Sequence, residues 1–284
     1  MQYRLIALDL DGTLLGSDKE ISPRNRAALA AARERGIVTV IATGRAPHSA
    51  VVFSQQIGGG PVICCNGAAI LDEAGQYLVQ KGIPRAPLIR VLNLCQGAEV
   101  LCECYTPGGI VLDKPLAQAR AYFRWVKGRQ STARTLVHLV QMWRLNRMKV
   151  VRSLLRWAEQ PGAPVVLKLM VIGEPERLHR LAEQVRREVP GLEISSSGHD
   201  NLELTAAGVS KGTGLEMLGA RLKIPRQAMI AMGDSENDLE MLRYAGLGVA
   251  MSNATDEAKA AADRVTQHCD EDGVAVLLEE VCLT

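Results

Sequence analysis

The feature that most constrains the fold is an apolar run near the start of the chain that ends in two carboxylates. The run from Leu5 to Leu8 is typical of a buried strand, and the segment Asp9 to Thr13 (DLDGT) follows it directly. A hairpin would require a pairing strand immediately afterwards, but Ser22 and the proline after it begin an amphipathic helix instead. The sequence therefore predicts Asp9 and Asp11 at the carboxyl end of a strand, where open parallel sheets place their active sites.

Apolar runs alternate with helical patterns along much of the chain, which indicates an α/β fold: a Rossmann-like parallel sheet core with helices on both faces. Predicted strands lie near 3–9, 37–42, 61–65, 228–232 and 246–250, and predicted helices near 22–35, 47–57, 211–222, 236–245 and 272–281. A long insertion at 84–190 is bounded by prolines. We therefore predict a core made of residues 1–83 and 191–284, and a second domain at 84–190.

Two further segments carry groups that suit phosphate oxygens. Thr43, Gly44 and Arg45 follow the apolar run at 37–42 and place a hydroxyl, a flexible glycine and a cation at a strand end. Lys211 opens the helix predicted at 211–222, where its ammonium group would reach a carboxylate or a phosphate, or would simply be solvated.

The segment Gly233 to Asp238 (GDSEND) is the most acidic of the strand ends. Three acids and an amide within five residues would repel one another unless a cation lies among them. A helix dipole would account for Glu236 and Asp238 by itself, but it does not explain why Asp9 and Asp11 should meet them. The segment therefore favours a hard divalent metal.

Composition is compatible with a two-domain enzyme. The chain has 284 residues with 47% hydrophobic content, which is enough for a large core. We expect a soluble, cytoplasmic protein, because the first apolar run is too short for a signal peptide and no run approaches the roughly 18 apolar residues of a membrane span. The seven cysteines lack CxxC spacing, which favours reduced, mostly buried thiols.

Charge is divided unevenly along the chain. Residues 84–190 hold 18 Lys or Arg against 8 Asp or Glu, whereas the rest holds 15 against 23. An acidic core facing a basic domain would concentrate anionic substrates at a cleft, which favours a phosphorylated metabolite.

The insertion contains one strongly basic stretch, Lys114 to Ala158, with eleven basic residues, no acid and half of the aromatic residues, including all three tryptophans. Such a stretch is either a footprint for nucleic acid or a membrane surface, or the interior of the domain, and we favour the interior. The interior would be filled by helically spaced apolar residues, namely Leu136, Leu139, Val140 and Trp143. Lys168 interrupts an apolar strand, so it lies either on the exposed face or towards the cleft.

Taken in order, these segments resemble the haloacid dehalogenase superfamily, and more narrowly its Cof-type phosphatases. The segments that carry the resemblance are Asp9 to Thr13, Thr43 to Arg45, Asn66 to Ala68, Lys211, Gly233 to Asp238, Ala250 to Ala254 and Glu271 to Ala275. The resemblance implies that the insertion at 84–190 is an α+β cap domain that selects the substrate.

The resemblance also implies roles for individual residues. Asp9 would be the nucleophile that forms an aspartyl-phosphate, and Asp11 would act as the general acid and base. Mg²⁺ would be held by the carboxylates of Asp9 and Asp234 and by the backbone carbonyl of Asp11. Lys211 would neutralise charge beside Asp9.

The phosphate and the substrate would be bound by a wider set of groups. Thr43 and backbone N–H groups near Leu10 and Asp11 would hold phosphoryl oxygens. Arg45 and Asn66 would either contact the substrate or the cap, or anchor their loops. The remaining residues expected near the phosphate are Gly12, Gly44, Asn237 and Asp238.

The sequence and the resemblance together predict a magnesium-dependent phosphatase of a small phosphorylated metabolite, such as a sugar phosphate, a phosphorylated vitamin or a flavin precursor. One alternative is a phosphomutase, which passes the phosphoryl group of the same aspartyl-phosphate to a second hydroxyl. Another is a binding or regulatory protein that uses the basic cap. We expect neither nucleic acid nor a membrane as a partner. The sequence indicates neither the exact substrate nor the oligomeric state.

Overall fold

The computed structural model describes residues 3–126, 140 and 143–283. The chain divides into two compact units, each with its own sheet. The first unit comprises Met1–Arg45, Ala50–Lys81 and Gly208–Thr284, and the second comprises Ala46–Ser49 and Gly82–Ala207.

Within the described residues, eight strands form the sheet of the first unit. With strands numbered along the whole chain, they are β1 (Leu5–Leu8), β2 (Val38–Ala42), β3 (Val62–Cys64), β4 (Ala69–Leu71), β5 (Tyr77–Gln80), β12 (Met229–Gly233), β13 (Leu247–Ala250) and β14 (Arg264–Val265). Their order across the sheet is β14-β13-β12-β1-β2-β3-β4-β5. The strand β1 therefore lies at the centre, parallel to β12 on one side and to β2 on the other.

The predicted α/β class is confirmed, with one difference at the edge of the sheet. The strands β4 and β5 are antiparallel to their neighbours. Only a short turn at Cys65–Gly67 joins β3 to β4, and such a short connection permits antiparallel pairing alone. In this turn Cys65 and Asn66 both adopt left-handed backbone angles, with φ of 51° and 57°.

The helices of the first unit begin with local signals that the sequence contains. They are α1 (Pro23–Glu34), α2 (Pro47–Gln56), α7 (Lys211–Leu222), α8 (Leu239–Tyr244), α9 (Asp256–Ala261) and α10 (Gly273–Val281). The first three residues of α2, 47–49, are assigned to the second unit. Ser22 caps α1 as predicted, because its hydroxyl accepts a hydrogen bond from the backbone N–H of Asn25 at 3.1 Å. The Asn25 side chain in turn accepts a bond from the N–H of Ala275 at 2.9 Å and so joins α1 to α10.

The core of the first unit is built from alternate positions of its central strands. Leu5 and Ala7 of β1 and Ala231 of β12 pack with Leu215 and Leu218 of α7 in one apolar cluster. All four residues of β1 are fully buried. The central strand is therefore covered on both faces, as expected of a parallel sheet between helices.

The second unit is an α+β arrangement around a sheet of order β10-β11-β9-β6-β7-β8. Its strands are β6 (Leu101–Thr106), β7 (Gly109–Leu112), β8 (Lys149–Val150), β9 (Lys168–Ile172), β10 (Leu192–Ser195) and β11 (Asn201–Ala206). Its described helices are α3 (Arg85–Gly97), α4 (Pro115–Val126), α5 (Leu154–Glu159) and α6 (Pro175–Glu188). The roles of residues 84–190 as a cap, and of 1–83 and 191–284 as a catalytic core, stay predictions.

Of the two alternatives for Lys168 the exposed face is excluded, and one expectation for the insertion is wrong. Lys168 does not lie on an exposed face: it is 1% exposed, and its Nζ is 3.2 Å from Glu203 Oε1 and 4.6 Å from the centre of the Tyr105 ring. Val140 and Trp143 do not fill the interior, because they are 47% and 40% exposed. The other two residues expected there, Leu136 and Leu139, lie outside the described residues.

Six of the seven cysteines are buried, and Cys282 is half-buried. Across the part of the chain that the structure describes, no helix has the length and apolar character needed to cross a membrane.

Candidate active site

The predicted residues lie in loops that follow neighbouring strands of the first unit. Asp9 to Gly12 follow β1, Thr43 to Arg45 follow β2, Asn66 follows β3, and Asp234 follows β12. Because β12, β1, β2 and β3 are adjacent and parallel, their carboxyl ends meet at one edge of the sheet. Lys211 is the first residue of α7, and a side-chain capping box between Ser210 and Thr213 fixes the start of that helix.

Lys211 joins the first and last acidic segments. Its Nζ lies 2.7 Å from Asp9 Oδ1, 2.7 Å from Asp238 Oδ1 and 3.1 Å from Asn237 Oδ1. The side chains of Lys211, Asp9 and Asp238 are only 1%, 6% and 0% exposed. Burial alone would lower the pKa of Lys211, but the charges of Asp238 and Asp9 outweigh it and raise that pKa above its usual value. Lys211 is therefore a permanent cation in this site.

The Asp238 side chain holds its own loop together through hydrogen bonds to the backbone. Its Oδ2 accepts hydrogen bonds from the backbone N–H groups of Asp234 at 3.0 Å and Ser235 at 3.1 Å. The neighbouring Asn237 donates from Nδ2 to Asn66 Oδ1 at 3.3 Å, which links this loop to the turn after β3. The acidic character of Asp238 thus serves to fix the loop and Lys211.

Carboxylates converge where the sequence predicts a metal. Asp9, Asp234 and Asp238 each offer one oxygen, and these atoms all lie within 4.8 Å of one another. Burial raises the pKa of Asp9 well above its usual value, opposed by Lys211 and reinforced by Asp238 and Asp234. Burial and the Asp238 charge raise the pKa of Asp234 to about 7. A buried set of oxygen donors with excess negative charge fits a hard divalent cation such as Mg²⁺.

The first motif approaches this acidic cluster closely. Gly12 has φ of 87°, and a Cβ at that position would lie 2.4 Å from Asp234 Oδ2. Thr13 donates its hydroxyl to Asp234 Oδ1 at 3.2 Å, and Asn253 donates to the carbonyl of Gly12 at 2.8 Å. Glycine is therefore required here both for its backbone angles and for the space beside the carboxylate.

The second motif is held rigidly at the end of β2. Thr43 is 1% exposed, and its backbone N–H donates to the carbonyl of Ile63 at 2.8 Å. Its hydroxyl accepts a bond from the N–H of Arg45 at 3.2 Å, with Gly44 between them. In the first loop the carbonyl of Leu10 accepts from the N–H of Leu15 at 2.8 Å, and the Leu10 side chain is fully buried.

Asp11 is turned towards cations and does not join the carboxylate cluster. Arg45 binds it through two hydrogen bonds, Nε to Oδ2 at 2.7 Å and Nη2 to Oδ1 at 2.8 Å, and Lys19 Nζ lies 3.0 Å from Oδ1. Burial would raise the pKa of Asp11, but Arg45 and then Lys19 outweigh it and hold that pKa well below its usual value. The predicted metal contact of Asp11 through its carbonyl, and the predicted contact of Arg45 with the substrate, stay predictions.

Sequence reasoning missed two residues of this site. Lys19 belongs to no strand end or motif, and its proximity to Asp11 depends on a turn in the loop after β1. Asn253 carried a usable signal, because it lies in the segment Ala250 to Ala254 that contributes to the family resemblance. It supports the site from a loop that follows β13, where its Oδ1 also accepts from the N–H of Cys269 at 3.0 Å.

Comparisons with known proteins find matches over nearly the whole chain. A family model described as haloacid dehalogenase-like hydrolase matches residues 6–278. Pyridoxal phosphate phosphatase YbhA of Escherichia coli is 31% identical over 277 residues, which span 97% of both chains. The 5-amino-6-(5-phospho-D-ribitylamino)uracil phosphatase YitU of Bacillus subtilis is 31% identical over 286 residues, 97% of this chain and 96% of that one.

Solved structures also match this chain over nearly its whole length. A haloacid dehalogenase-like hydrolase from B. subtilis superimposes with a TM-score of 0.87 at 29% identity, and the match covers 98% of this chain and 99% of that one.

Proposed function

Because this chain belongs to the haloacid dehalogenase-like hydrolases, we propose that it is a magnesium-dependent phosphatase of a small phosphorylated metabolite, acting through an aspartyl-phosphate on Asp9. The observation that carries this proposal is the buried Asp9 carboxylate, which contacts Lys211 at 2.7 Å and faces the carboxylates of Asp234 and Asp238. A pure binding protein has no need of a buried nucleophile beside a fixed cation and a second acid.

In the proposed first step, a carboxylate oxygen of Asp9 attacks the phosphorus atom and the bond from phosphorus to the leaving oxygen breaks. Arg45 and Lys19 hold Asp11 as a carboxylate in the free site, so it takes up the proton of a singly protonated substrate phosphate and gives that proton to the leaving oxygen. The dephosphorylated alcohol then leaves and Asp9 carries the phosphoryl group. In the second step, water attacks the same phosphorus, its proton passes to Asp11, and phosphate and the free Asp9 carboxylate are regenerated.

We propose that the charge of the phosphoryl group is met by groups from three loops. Thr43 and the backbone N–H groups of the loop after β1, from Leu10 to Gly12, would bind its oxygens, with Gly44 giving the loop after β2 room to approach. Lys211 would keep its ammonium group beside the reacting atoms. Asn66 and Asn237, which are hydrogen-bonded to each other, would line the site beside the phosphate group.

Asp9 and Asp234 would hold Mg²⁺ through their carboxylates, with the carbonyl of Asp11 as a further ligand. When bound, the metal supplies positive charge that offsets the repulsion between an anionic carboxylate and an anionic phosphate. Asp238 would remain in its present role, because its oxygens are already bound by Lys211 and by two backbone N–H groups.

We propose a phosphorylated vitamin, a flavin precursor or a sugar phosphate as the substrate, with the domain predicted at 84–190 selecting among them. The names of two relatives support the first two classes: one acts on pyridoxal phosphate and the other on 5-amino-6-(5-phospho-D-ribitylamino)uracil. The excess of basic over acidic residues in 84–190 supports an anionic substrate.

The test is phosphate release from a panel of these three classes, with and without magnesium, by the wild type and by Asp9→Asn. We expect release that requires magnesium and that falls at least a thousandfold in Asp9→Asn, because that change removes the nucleophile and nearly keeps the shape. Residual activity within tenfold of the wild type would exclude Asp9 as the nucleophile.

Product analysis separates the alternatives. An isomeric phosphate formed without release of inorganic phosphate would identify a phosphomutase. The absence of turnover, together with tight binding of a polyanion, would favour a binding protein.

A further inference from the structure

Two cations bind the carboxylate of Asp11, and one of them belongs to no recognised motif. Arg45 donates to both oxygens at 2.7 and 2.8 Å, and Lys19 Nζ adds a third donor to Oδ1 at 3.0 Å. A carboxylate accepts about four hydrogen bonds in its plane, so these three contacts fix its orientation and leave one acceptor position. That remaining position is what a carboxylate needs to exchange a proton with a substrate oxygen or a water.

A specific turn brings Lys19 to Asp11. Lys19 has φ of 65°, its N–H donates to the carbonyl of Gly16 at 2.9 Å, and the N–H of Gly16 donates to Glu20 at 3.1 Å. The turn is tied to a distant part of the chain, because the N–H of Ser17 donates to Asp270 Oδ1 at 2.7 Å. Left-handed backbone angles are unfavourable for a lysine, so the turn holds this residue in a strained conformation.

Arg45 is also fixed independently of Asp11. Its guanidinium lies 4.6 Å from the centre of the Phe53 ring. Its backbone N–H donates to Thr43 Oγ1, and its carbonyl accepts from the N–H of Cys65. The two cations therefore approach Asp11 from two separately anchored loops. Such an arrangement holds the carboxylate in place more firmly than a single mobile partner would.

Stability does not account for the Lys19 contact. The side chains of Lys19 and Asp11 are 35% and 42% exposed, and ion pairs this exposed typically contribute little to stability. A contact that requires a strained backbone and returns little stability is more easily explained by the chemistry of Asp11.

We propose that Lys19 is a positioning residue that, together with Arg45, orients the Asp11 carboxyl group for proton transfer to the leaving oxygen. This inference rests on the proposed function, because it assigns Lys19 a part in the step in which Asp11 protonates the leaving group. Lys19 contacts Asp11 and is not assigned to the phosphate.

The test compares two substrates of opposite leaving-group quality, an alkyl phosphate and p-nitrophenyl phosphate, in the wild type, Lys19→Met, Lys19→Arg and Lys81→Met. The quantity measured is kcat/KM, which covers the steps up to formation of the aspartyl-phosphate. An alkoxide must be protonated as it leaves, whereas p-nitrophenolate leaves without a proton. The ratio of the two values in one preparation does not depend on how much of the protein is folded.

We expect Lys19→Met to lower kcat/KM about tenfold for the alkyl phosphate and less than twofold for p-nitrophenyl phosphate. Lys19→Arg should restore the ratio to within threefold of the wild type, because it keeps the charge and the reach. Lys81, an exposed lysine of the same unit, should leave both values unchanged when it is replaced.

Equal losses for both substrates would overturn the inference and assign Lys19 to phosphate binding or to the structure of the loop. An unchanged ratio in Lys19→Met would overturn it as well. If the wild type hydrolyses neither compound nor any member of the metabolite panel, the proposed function fails and the inference fails with it. Wild-type turnover that depends on Asp9, with an unchanged ratio in Lys19→Met, would remove only the inference.

Discussion

Replacing Lys211 with methionine is expected to destabilise the protein strongly, apart from its effect on turnover. The Lys211 ammonium group is 1% exposed and is the cation shared by two carboxylates at 2.7 Å, Asp9 and Asp238. Methionine fills a similar volume without the charge, so it leaves two buried carboxylates near each other. Removing one partner of a buried ion pair typically costs about 3–5 kcal/mol, and two carboxylates place the expected loss at the upper end of that range.

The assay is urea unfolding at neutral pH in the presence of EDTA, so that no added divalent cation replaces the missing charge. Lys223→Met is the matched control, because Lys223 is an exposed lysine at the end of the same helix. We expect its free energy of unfolding to stay within about 0.5 kcal/mol of the wild type. A loss of less than 1 kcal/mol in Lys211→Met would refute the reasoning, since exposed ion pairs contribute that little.

A double variant tests whether the loss arises from the unpaired charge. Asp238→Asn removes one of the two carboxylates that Lys211→Met leaves without a cation. If electrostatic repulsion causes the loss, Lys211→Met with Asp238→Asn should be at least about 1 kcal/mol more stable than Lys211→Met alone. Strictly additive losses would show instead that packing and the backbone contacts of Asp238 dominate.

Three further outcomes are expected. Burial raises the pKa of Glu103 to about 7, so the wild type loses stability as the pH rises and the buried carboxyl group ionises. In urea unfolding, the free energy of unfolding of Glu103→Gln relative to the wild type should increase by about 2–3 kcal/mol between pH 5 and pH 8. A difference that does not change with pH would contradict this. Gly12→Ala and Gly75→Ala both place a side chain at a positive φ, which should cost each about 1 kcal/mol. Gly12→Ala should lose more than Gly75→Ala and should abolish phosphate release, because its Cβ meets Asp234 whereas nothing lies within 4 Å at Gly75. EDTA should stop turnover and added Mg²⁺ should restore it, and activity that persists in EDTA would exclude a metal requirement.

The parts of the fold that follow from sequence are those in which a local pattern has a local cause. The central strands are continuous apolar runs because both of their faces are buried, and α1 begins at Ser22 because a serine cap and a proline favour that start. The strand-end positions of Asp9, Thr43 and Asp234 follow from the same runs. The site could therefore be assembled from the sequence wherever a polar segment directly follows an apolar strand.

The parts that did not follow depend on partners far away in the chain. Lys168 is buried because Glu203 of another strand pairs with it, and no pattern around Lys168 indicates that partner. Lys19 reaches Asp11 through a turn with left-handed backbone angles, which the sequence of that loop does not specify. Asp238 lies in an acidic segment typical of a metal site, yet its carboxylate oxygens are bound by Lys211 and by the backbone. Only the three-dimensional structure distinguishes these two roles.

The central position of β1 has a consequence for the order in which the protein forms during synthesis. The strand β1 is made before the other described strands of its sheet, but its neighbour β12 is made more than two hundred residues later. Until then a fully apolar strand has an open edge, which invites pairing with other chains. The second unit, in contrast, is almost entirely one continuous segment, Gly82–Ala207, so all its described strands are made before β12. We expect a chain halted at residue 207 to resist protease in the second unit while the segment around β1 is still cleaved, so that Asp9 acquires its final surroundings only after α7 and β12 have been made.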